Sequence, residues 1–251
     1  MNHQVSPNPR CDLMSFPVDS LTMEQAVHCV GRCLERNDFH HVIAINANKI
    51  WLAERDGTLK EILRGAELVI PEYAAVWACR VLRRPLRGHV GGVMLLKKLL
   101  PWLDKELFSV YFLGARPEVL QLLKARVQAQ YPNLVIAGMH SGYFEPSQET
   151  EIVDSINESG AALLFVAMGS PRQEYWIERN RKHLKVKVAM GVGGSFDVVA
   201  GVKKDAPDWV RHGGEWLYRL LQDPGNLWKR YLKTNPWFVY RVLRERMLAN
   251  R

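Results

Sequence analysis

Short apolar runs alternate with segments of helical length along most of this chain, and this alternation is the feature that most restricts its fold. Residues 110–113 and 163–168 have the length of buried strands, and each run is followed by a segment with helical periodicity. Continuous apolar strands are typical of parallel sheets, because helices cover both faces of such sheets. The sequence therefore predicts an α/β fold in which helices flank a parallel sheet.

The same periodicity predicts where the elements lie. Thr22 is expected to cap a helix, since Gln25 follows it at the spacing of a capping box. A further helical segment begins near Ile50, and no element is assigned before residue 21. We predict strands at residues 41–45, 68–70, 110–113, 134–137, 163–168 and 186–190, and helices at residues 22–36, 76–82, 93–102, 117–130 and 152–159.

The last fifth of the chain differs from the rest in composition. Residues 203–251 hold eleven Lys or Arg against five Asp or Glu, together with four of the eight tryptophans. We predict a boundary near Val202, with a core in residues 1–202 and a basic, Trp-rich helical appendage in residues 203–251. The appendage is too small for its own core and is expected to pack on the sheet. Such a surface suits phosphates, nucleic acid or an anionic membrane.

Length and composition describe an ordinary globular protein. A chain of 251 residues with 47% hydrophobic residues can bury a full core. No apolar run is long enough to span a bilayer, and the first ten residues lack the apolar centre of a signal peptide. These features predict a cytoplasmic location. The four cysteines are scattered without zinc-type spacing, which indicates reduced, structural thiols.

Polar residues and glycines stand where five of the predicted strands end. The carboxyl ends of parallel strands meet at one edge of a sheet, where α/β proteins bind ligands. Ser170 is expected to cap the helix that follows residues 163–168, with Pro171 in its first turn. The candidate ligand-binding residues at this edge are Asn46, Asn48, Glu72, Gly114, Ser170, Gln173, Gly193 and Gly194.

Several common nucleotide and metal motifs are missing from the sequence. No Gly-x-Gly-x-x-Gly follows the first predicted strand, and there is no Walker-type lysine loop. No Asp-x-Asp stands at a strand end, and no His, Cys or carboxylate cluster has metal spacing. The sequence therefore predicts no bound metal and no cofactor. Any phosphate charge is expected to be met by arginines, lysines and helix N-termini.

Several motifs occur in an order that resembles the WecG/TagA/CpsF glycosyltransferase family, over about residues 21–231. The motifs are Asn46-Ala47-Asn48-Lys49, Phe112-Leu113-Gly114-Ala115, Gly142-Tyr143-Phe144, Gly169-Ser170-Pro171-Arg172-Gln173-Glu174, Gly191-Val192-Gly193-Gly194-Ser195-Phe196-Asp197, Ala206-Pro207 and Glu215-Trp216-Leu217-Tyr218-Arg219-Leu220. The resemblance implies a Rossmann-like core. It also implies a basic C-terminal appendage that helps to close the site and docks the protein on a membrane.

The resemblance further implies an activity. Members of that family transfer a sugar from a UDP-sugar donor to a polyprenyl-diphosphate-linked acceptor, with inversion and without a metal. They act in the synthesis of exopolysaccharide, capsule, enterobacterial common antigen or wall teichoic acid. The partners implied are a UDP-sugar, a lipid-linked glycan and the anionic surface of the inner membrane face. No nucleic-acid partner is expected. A monomer-oligomer equilibrium is also implied as a possibility.

The resemblance assigns roles to individual residues. The family has an Asp in a Pro-Asp-Gly motif where this chain has Pro71-Glu72-Tyr73, so Glu72 is the candidate base that takes the acceptor's proton. Asn46 and Gln173 match family residues expected near the substrates, and Arg172 stands where the family usually has a basic residue. Three basic residues of the appendage are expected to meet the diphosphate charge: Arg219, Lys229 and Arg230. For each residue an ordinary loop, turn or solvated-helix role stays open.

This chain departs from the family pattern around the predicted pocket. The departures are Ala44, Tyr73, His89, Met94 and Asp205. They favour a divergent enzyme with a different UDP-sugar or acceptor. The alternative is a non-catalytic protein that binds a UDP-sugar or a lipid diphosphate. A third hypothesis, nucleic-acid binding by the appendage, is disfavoured because its aromatic spacing also fits a helix packed on a core or on a bilayer interface.

Overall fold

A short antiparallel hairpin precedes the main sheet in the computed structural model, which describes residues 9–207, 210, 215–222 and 224–249. Its strands are β1 (Arg10–Leu13) and β2 (Phe16–Asp19). Buried Asp19 ties the hairpin to the rest of the protein, since its carboxylate accepts from the Arg10 guanidinium at 2.9 Å and from the Val69 backbone N–H at 2.7 Å. The expectation of no element before residue 21 was wrong, because strands of four residues are too short to show a clear periodicity.

The main sheet has six strands, all parallel to their neighbours, which confirms the predicted α/β class and is consistent with a Rossmann-like fold. The strands are β3 (His40–Ile45), β4 (Leu68–Pro71), β5 (Val110–Gly114), β6 (Ile136–His140), β7 (Leu163–Ala167) and β8 (Val188–Gly191). Their spatial order is β4-β3-β8-β7-β5-β6. The sites predicted after β3, β4, β7 and β8 are therefore brought to adjacent strand ends.

Helices cover both faces of this sheet. They are α1 (Met23–Leu34), α2 (Ala47–Ala53), α3 (Gly57–Gly65), α4 (Tyr73–Val81), α5 (Gly92–Glu106), α6 (Pro117–Gln130), α7 (Glu149–Glu158), α8 (Arg172–Asn180), α9 (Ser195–Val199), α10 (Glu215–Gln222) and α11 (Pro224–Leu248). Alternate residues of β3 enter different cores: Val42 packs with α1 and α5, whereas Ile43 packs with α2, α3 and α4. Because both faces are buried, the strands need no polar alternation.

The predicted element positions agree with the structure to within a few residues. The capping box at Thr22 and Gln25 is confirmed, with both reciprocal hydrogen bonds present. The strand predicted at residues 134–137 lies at Ile136–His140, and the one at 186–190 lies at Val188–Gly191. The segment near Ile50 divides into two helices, because Asp56 caps a new one by accepting from the Leu59 N–H at 3.1 Å.

The C-terminal helix α11 packs on the sheet core through its second half, as expected. Phe238 and Val242 are buried in the same apolar cluster as α2 and α4, and the Phe238 ring lies 6.3 Å from that of Trp77. Arg241 pairs with Glu54 at 3.2 Å. Within the described ranges, no helix combines the length and apolar character needed to cross a bilayer. The boundary near Val202 stays a prediction.

Candidate functional site

Glu72 stands directly after β4 and points along the carboxyl edge of the sheet. Its backbone N–H donates to the Ile45 carbonyl at 3.1 Å, which continues the pairing of β4 with β3. It occupies the N-cap position of α4 but makes no side-chain cap. One carboxylate oxygen, Oε2, accepts instead from Asn46 Nδ2 at 3.0 Å. The half-buried carboxylate is therefore held by one strand end while it remains open to the edge.

Asn46 uses both ends of its amide, which fixes the orientation of its side chain. It caps α2, because Oδ1 accepts from the Lys49 backbone N–H at 3.0 Å. Nδ2 is then directed at Glu72. The turn role left open for Asn46 is therefore confirmed, and its role at a substrate site stays a prediction. Asn48 lies half-buried in the first turn of α2.

Two of the departures from the family pattern, Ala44 and Tyr73, lie close to Glu72. A Cβ on Gly92, at the start of α5, would lie 3.6 Å from the Ala44 Cβ and 3.8 Å from Glu72 Oε1. The rings of Tyr73 and His89 meet edge to face with centroids 6.1 Å apart. The second carboxylate oxygen of Glu72, Oε1, therefore lies close to the start of α5.

A buried polar cluster lies on the other side of Asn46. Lys49 Nζ is 2.8 Å from Glu174 Oε1, and the two side chains are only 5% and 1% exposed. Burial raises the pKa of the Glu174 carboxyl. The Lys49 ammonium and the hydrogen bonds from Lys49, Ser170 and Gln173 outweigh burial, and the net pKa lies below the ordinary value. The carboxylate is therefore ionised in the folded protein at neutral pH.

Ser170 and Gln173 both belong to this cluster. Ser170 does not cap α8 as predicted, since Pro171 is at the N-cap and Ser170 Oγ donates to Glu174 Oε2 at 2.6 Å. Gln173 Nε2 donates to Glu174 Oε1 at 2.9 Å, and its Oε1 accepts from the Gly193 backbone N–H at 3.0 Å. The buried Gln173 amide thus makes a hydrogen bond at each end, one with Glu174 and one with the glycine cluster after β8.

The glycines predicted to bind ligand have different surroundings. Gly114 has a φ of +133°, and a Cβ there would lie 2.4 Å from the Ala167 carbonyl oxygen, so close packing of β5 on β7 requires glycine. Gly193 has a φ of +52° and gives its N–H to Gln173. Gly194 is exposed at the N-cap of α9.

The predicted basic residues lie apart from the buried cluster. Arg172 is exposed at the start of α8, with its guanidinium 5.4 Å from the Phe144 ring centroid. Lys229 and Arg230 are exposed on α11 and contact the neighbouring rings of Trp228 and Tyr231. Arg219 is in α10, and its side chain lies outside the described residues, as do Trp209 and the side chain of Trp216.

Lys49 and Glu174 were not singled out by the sequence reasoning, although both lie in the motifs that it used. Each is charged and follows a strand end, a pattern that a solvated helix face shares. Two depressions in the described surface, of about 460 Å³ beside α3 and about 310 Å³ beside β1, are lined by none of the predicted site residues. Among the described residues, no three His, Cys, Asp or Glu are grouped as a metal site.

Strand ends that bring a carboxylate, amides and glycines to one edge of a parallel sheet define a ligand-binding α/β protein. The model of the glycosyl transferase WecG/TagA/CpsF family matches residues 11–251, and the chain belongs to that family. It is 32% identical, over 229 residues, to the N-acetylglucosaminyldiphosphoundecaprenol N-acetyl-beta-D-mannosaminyltransferase of Bacillus spizizenii strain W23. The alignment covers 90% of this chain and 88% of the relative.

Proposed function

We propose that this glycosyltransferase moves a sugar from a UDP-sugar to a polyprenyl-diphosphate-linked acceptor, with inversion and without a metal. The observation that carries the proposal is the Glu72 carboxylate, oriented by Asn46 at the carboxyl edge of the sheet. Family membership supports glycosyl transfer as the reaction class. The name of the Bacillus relative supports a polyprenyl-diphosphate-linked acceptor. The product is proposed to enter a cell-surface glycan.

In the proposed reaction, an acceptor hydroxyl oxygen attacks the anomeric carbon of the donor. Glu72 takes the hydroxyl proton as the new carbon–oxygen bond forms. The bond from the anomeric carbon to the phosphate oxygen breaks, and UDP leaves with its electron pair. Because Asn46 occupies Oε2, Oε1 is the oxygen that accepts the proton.

Charge on the departing diphosphate needs basic partners. Arg172, at the edge of the sheet, and Arg219, Lys229 and Arg230, on the appendage, are the proposed partners, together with the backbone around Gly193 and Gly194. Because the Gly193 N–H is donated to Gln173, the role proposed for Gly193 is close approach of its backbone to the ligand. For Gly114 the tight contact with Ala167 favours a structural role.

The exposed side of α11 supports docking on an anionic membrane at the cytoplasmic face. Large apolar side chains lie there in water, at Trp228, Leu232, Tyr240, Leu243 and Met247. Basic residues are interspersed with them, and the exposed ones are Lys229, Arg230, Lys233 and Arg244. Apolar and cationic side chains along one helix are typical of segments that lie in a bilayer interface.

A UDP-release assay tests the proposal. We would screen UDP-glucose, UDP-galactose, UDP-N-acetylglucosamine, UDP-N-acetylmannosamine and UDP-glucuronate, with a membrane extract as the acceptor source and EDTA present. We expect release from one donor, and a fall of about 100-fold or more in Glu72→Gln, which keeps the shape of the side chain. Release that depends on added divalent metal would contradict metal independence.

The second candidate function is a non-catalytic binder of UDP-sugars or lipid diphosphates. The observation that favours it is the position of the departures: Ala44 and Glu72 Oε1 both lie beside Gly92, and Tyr73, next to Glu72 in the chain, contacts His89. Calorimetric binding of UDP, combined with no release from any donor, would select this function over the transferase.

A further inference from the structure

The Lys49–Glu174 ion pair is nearly free of solvent, and its burial needs an explanation. The side chains are 5% and 1% exposed, and Nζ lies 2.8 Å from Oε1. Removing two charges from water costs free energy that their mutual attraction often fails to repay, and an apolar pair of the same volume is commonly as stable. Stability alone therefore does not account for the pair.

Glu174 joins three side chains, one from α2 and two from its own helix, α8, and the segment that leads into it. Its Oε1 accepts from Lys49 Nζ and from Gln173 Nε2, and its Oε2 accepts from Ser170 Oγ. Gln173 in turn accepts the Gly193 N–H. The amide packs closely on Gly191, where an added Cβ would lie 2.4 Å from Gln173 Nε2. Glu174 thus fixes the loop after β8 against α8.

Lys49 makes the corresponding connection on the other side. It lies in the first turn of α2, where its backbone N–H donates to Asn46 Oδ1. That bond directs Asn46 Nδ2 at Glu72. One connected series of contacts therefore runs from Glu72 through Asn46, Lys49 and Glu174 to Gln173 and Gly193. It spans the ends of β4, β3, β7 and β8.

We infer that Lys49 and Glu174 are positioning residues. Their ion pair keeps the Glu72 carboxylate, which Asn46 orients, in a fixed position relative to the loop after β8, which Gln173 binds at Gly193. The inference rests on the proposed function, in which Glu72 receives the proton and the loop lies against the donor. Being buried, the pair acts through Asn46 and Gln173. Misplacement of reacting groups by about 1 Å costs on the order of 100-fold in rate. A rigid connection between the Glu72 carboxylate and the loop after β8 is therefore expected to raise the rate of turnover.

The double variant K49M/E174Q tests this inference, because it removes both charges and leaves no unpaired ion in the core. We expect it to unfold at nearly the temperature of the wild-type protein, whereas Glu174→Gln alone is less stable. We expect kcat to fall about 10-fold to 100-fold, with a change of less than about threefold in the Kd for UDP. The matched control is R36Q/D38N, which neutralises a surface ion pair at the opposite edge of the sheet and keeps wild-type kcat.

The outcomes separate this inference from the proposed function. A folded K49M/E174Q protein with wild-type kcat overturns the inference alone. A wild-type protein that releases UDP from no donor overturns the proposed function and the inference with it. If the double variant folds poorly, Lys49→Arg replaces it, since that change keeps both charges and alters only their geometry. Wild-type kcat in a folded Lys49→Arg protein overturns the inference as well.

Discussion

Asn46 and Glu72 come from the ends of two adjacent strands, and the amide nitrogen of the first lies 3.0 Å from a carboxylate oxygen of the second. The contact depends on the parallel register in which Ile45 is opposite Pro71, because that register places the two following residues side by side. A side chain that also caps a helix is difficult to rotate, so the carboxylate has a defined orientation before substrate arrives.

Asn46→Asp separates the two roles of the asparagine. Aspartate caps helices as well as asparagine does, so Asn46→Asp should keep the cap and lose stability only through repulsion by Glu72. Asn46→Ala should lose the cap itself, at a cost of ~1 kcal/mol. The donor to Glu72 is replaced by a second carboxylate, so turnover should fall by about tenfold or more. Urea denaturation and UDP release measure the two effects. Full activity in Asn46→Asp would show that the amide donor is dispensable.

Gly114→Ala tests whether this glycine serves packing or binding. The added methyl would lie 2.4 Å from the Ala167 carbonyl oxygen, and the backbone has a φ of +133°. We expect a loss of roughly 3 kcal/mol or more in the free energy of unfolding, from strain and overpacking together.

The control for that variant is Gly160→Ala, where φ is +65° and no atom lies within 4 Å of the added Cβ. It should lose only about 1–2 kcal/mol. A Gly114→Ala protein of normal stability that no longer binds UDP would instead assign Gly114 to the ligand site.

The Glu174 carboxyl should make stability depend on pH in the acid range. Its folded-state pKa lies below the ordinary 4.5, so in the window between those values the unfolded chain binds more protons and stability rises with pH. The contribution is complete above about pH 4.5 and is lost as pH falls through the folded-state pKa.

Urea denaturation between about pH 6 and about pH 3 measures this effect. K49M/E174Q should lose less stability than the wild-type protein over that range, because it lacks the ionised pair. Equal losses in the two proteins would show that Glu174 titrates alike in the folded and unfolded states.

Leu232→Glu tests the proposed membrane surface of α11. Leu232 is 65% exposed, so the change should leave the fold intact while it removes apolar area and adds negative charge. We expect binding to vesicles containing phosphatidylglycerol to weaken by about tenfold in a sedimentation assay.

Leu122→Glu on α6, where the leucine is 48% exposed, is the matched control and should bind like the wild-type protein. Wild-type binding should also weaken in salt and on vesicles of phosphatidylcholine alone. Equal binding to both kinds of vesicle would remove the electrostatic part of the proposal.

Much of the fold could be predicted from the sequence, because the strands are buried on both faces and the helices are capped by local motifs. Thr22 with Gln25 illustrates such a motif, since the signal lies within four residues. The N-terminal hairpin could not be found in this way. Its contacts with the rest of the protein are distant in sequence: Asp19 accepts from Val69, 50 residues away, and Leu13, Phe16 and Val18 are buried in the core.

The candidate site was predictable as a set of strand ends and less so as a set of contacts. Glu72 and Asn46 were expected at the same edge, and the structure pairs them. Ser170 was expected to cap a helix, yet a carboxylate one turn later attracts its hydroxyl. In the sequence, Glu174 looks like a residue of a solvated helix face, and only the three-dimensional structure shows that Lys49 on α2 reaches it.

The hairpin also bears on how the protein avoids self-association through its sheet. β4 is an edge strand, and such strands offer unpaired backbone groups to other chains. Here β2 packs along β4, and the buried Asp19 carboxylate takes the Val69 N–H that an incoming strand would need. One side of the sheet is thereby closed to strand addition and fibril growth.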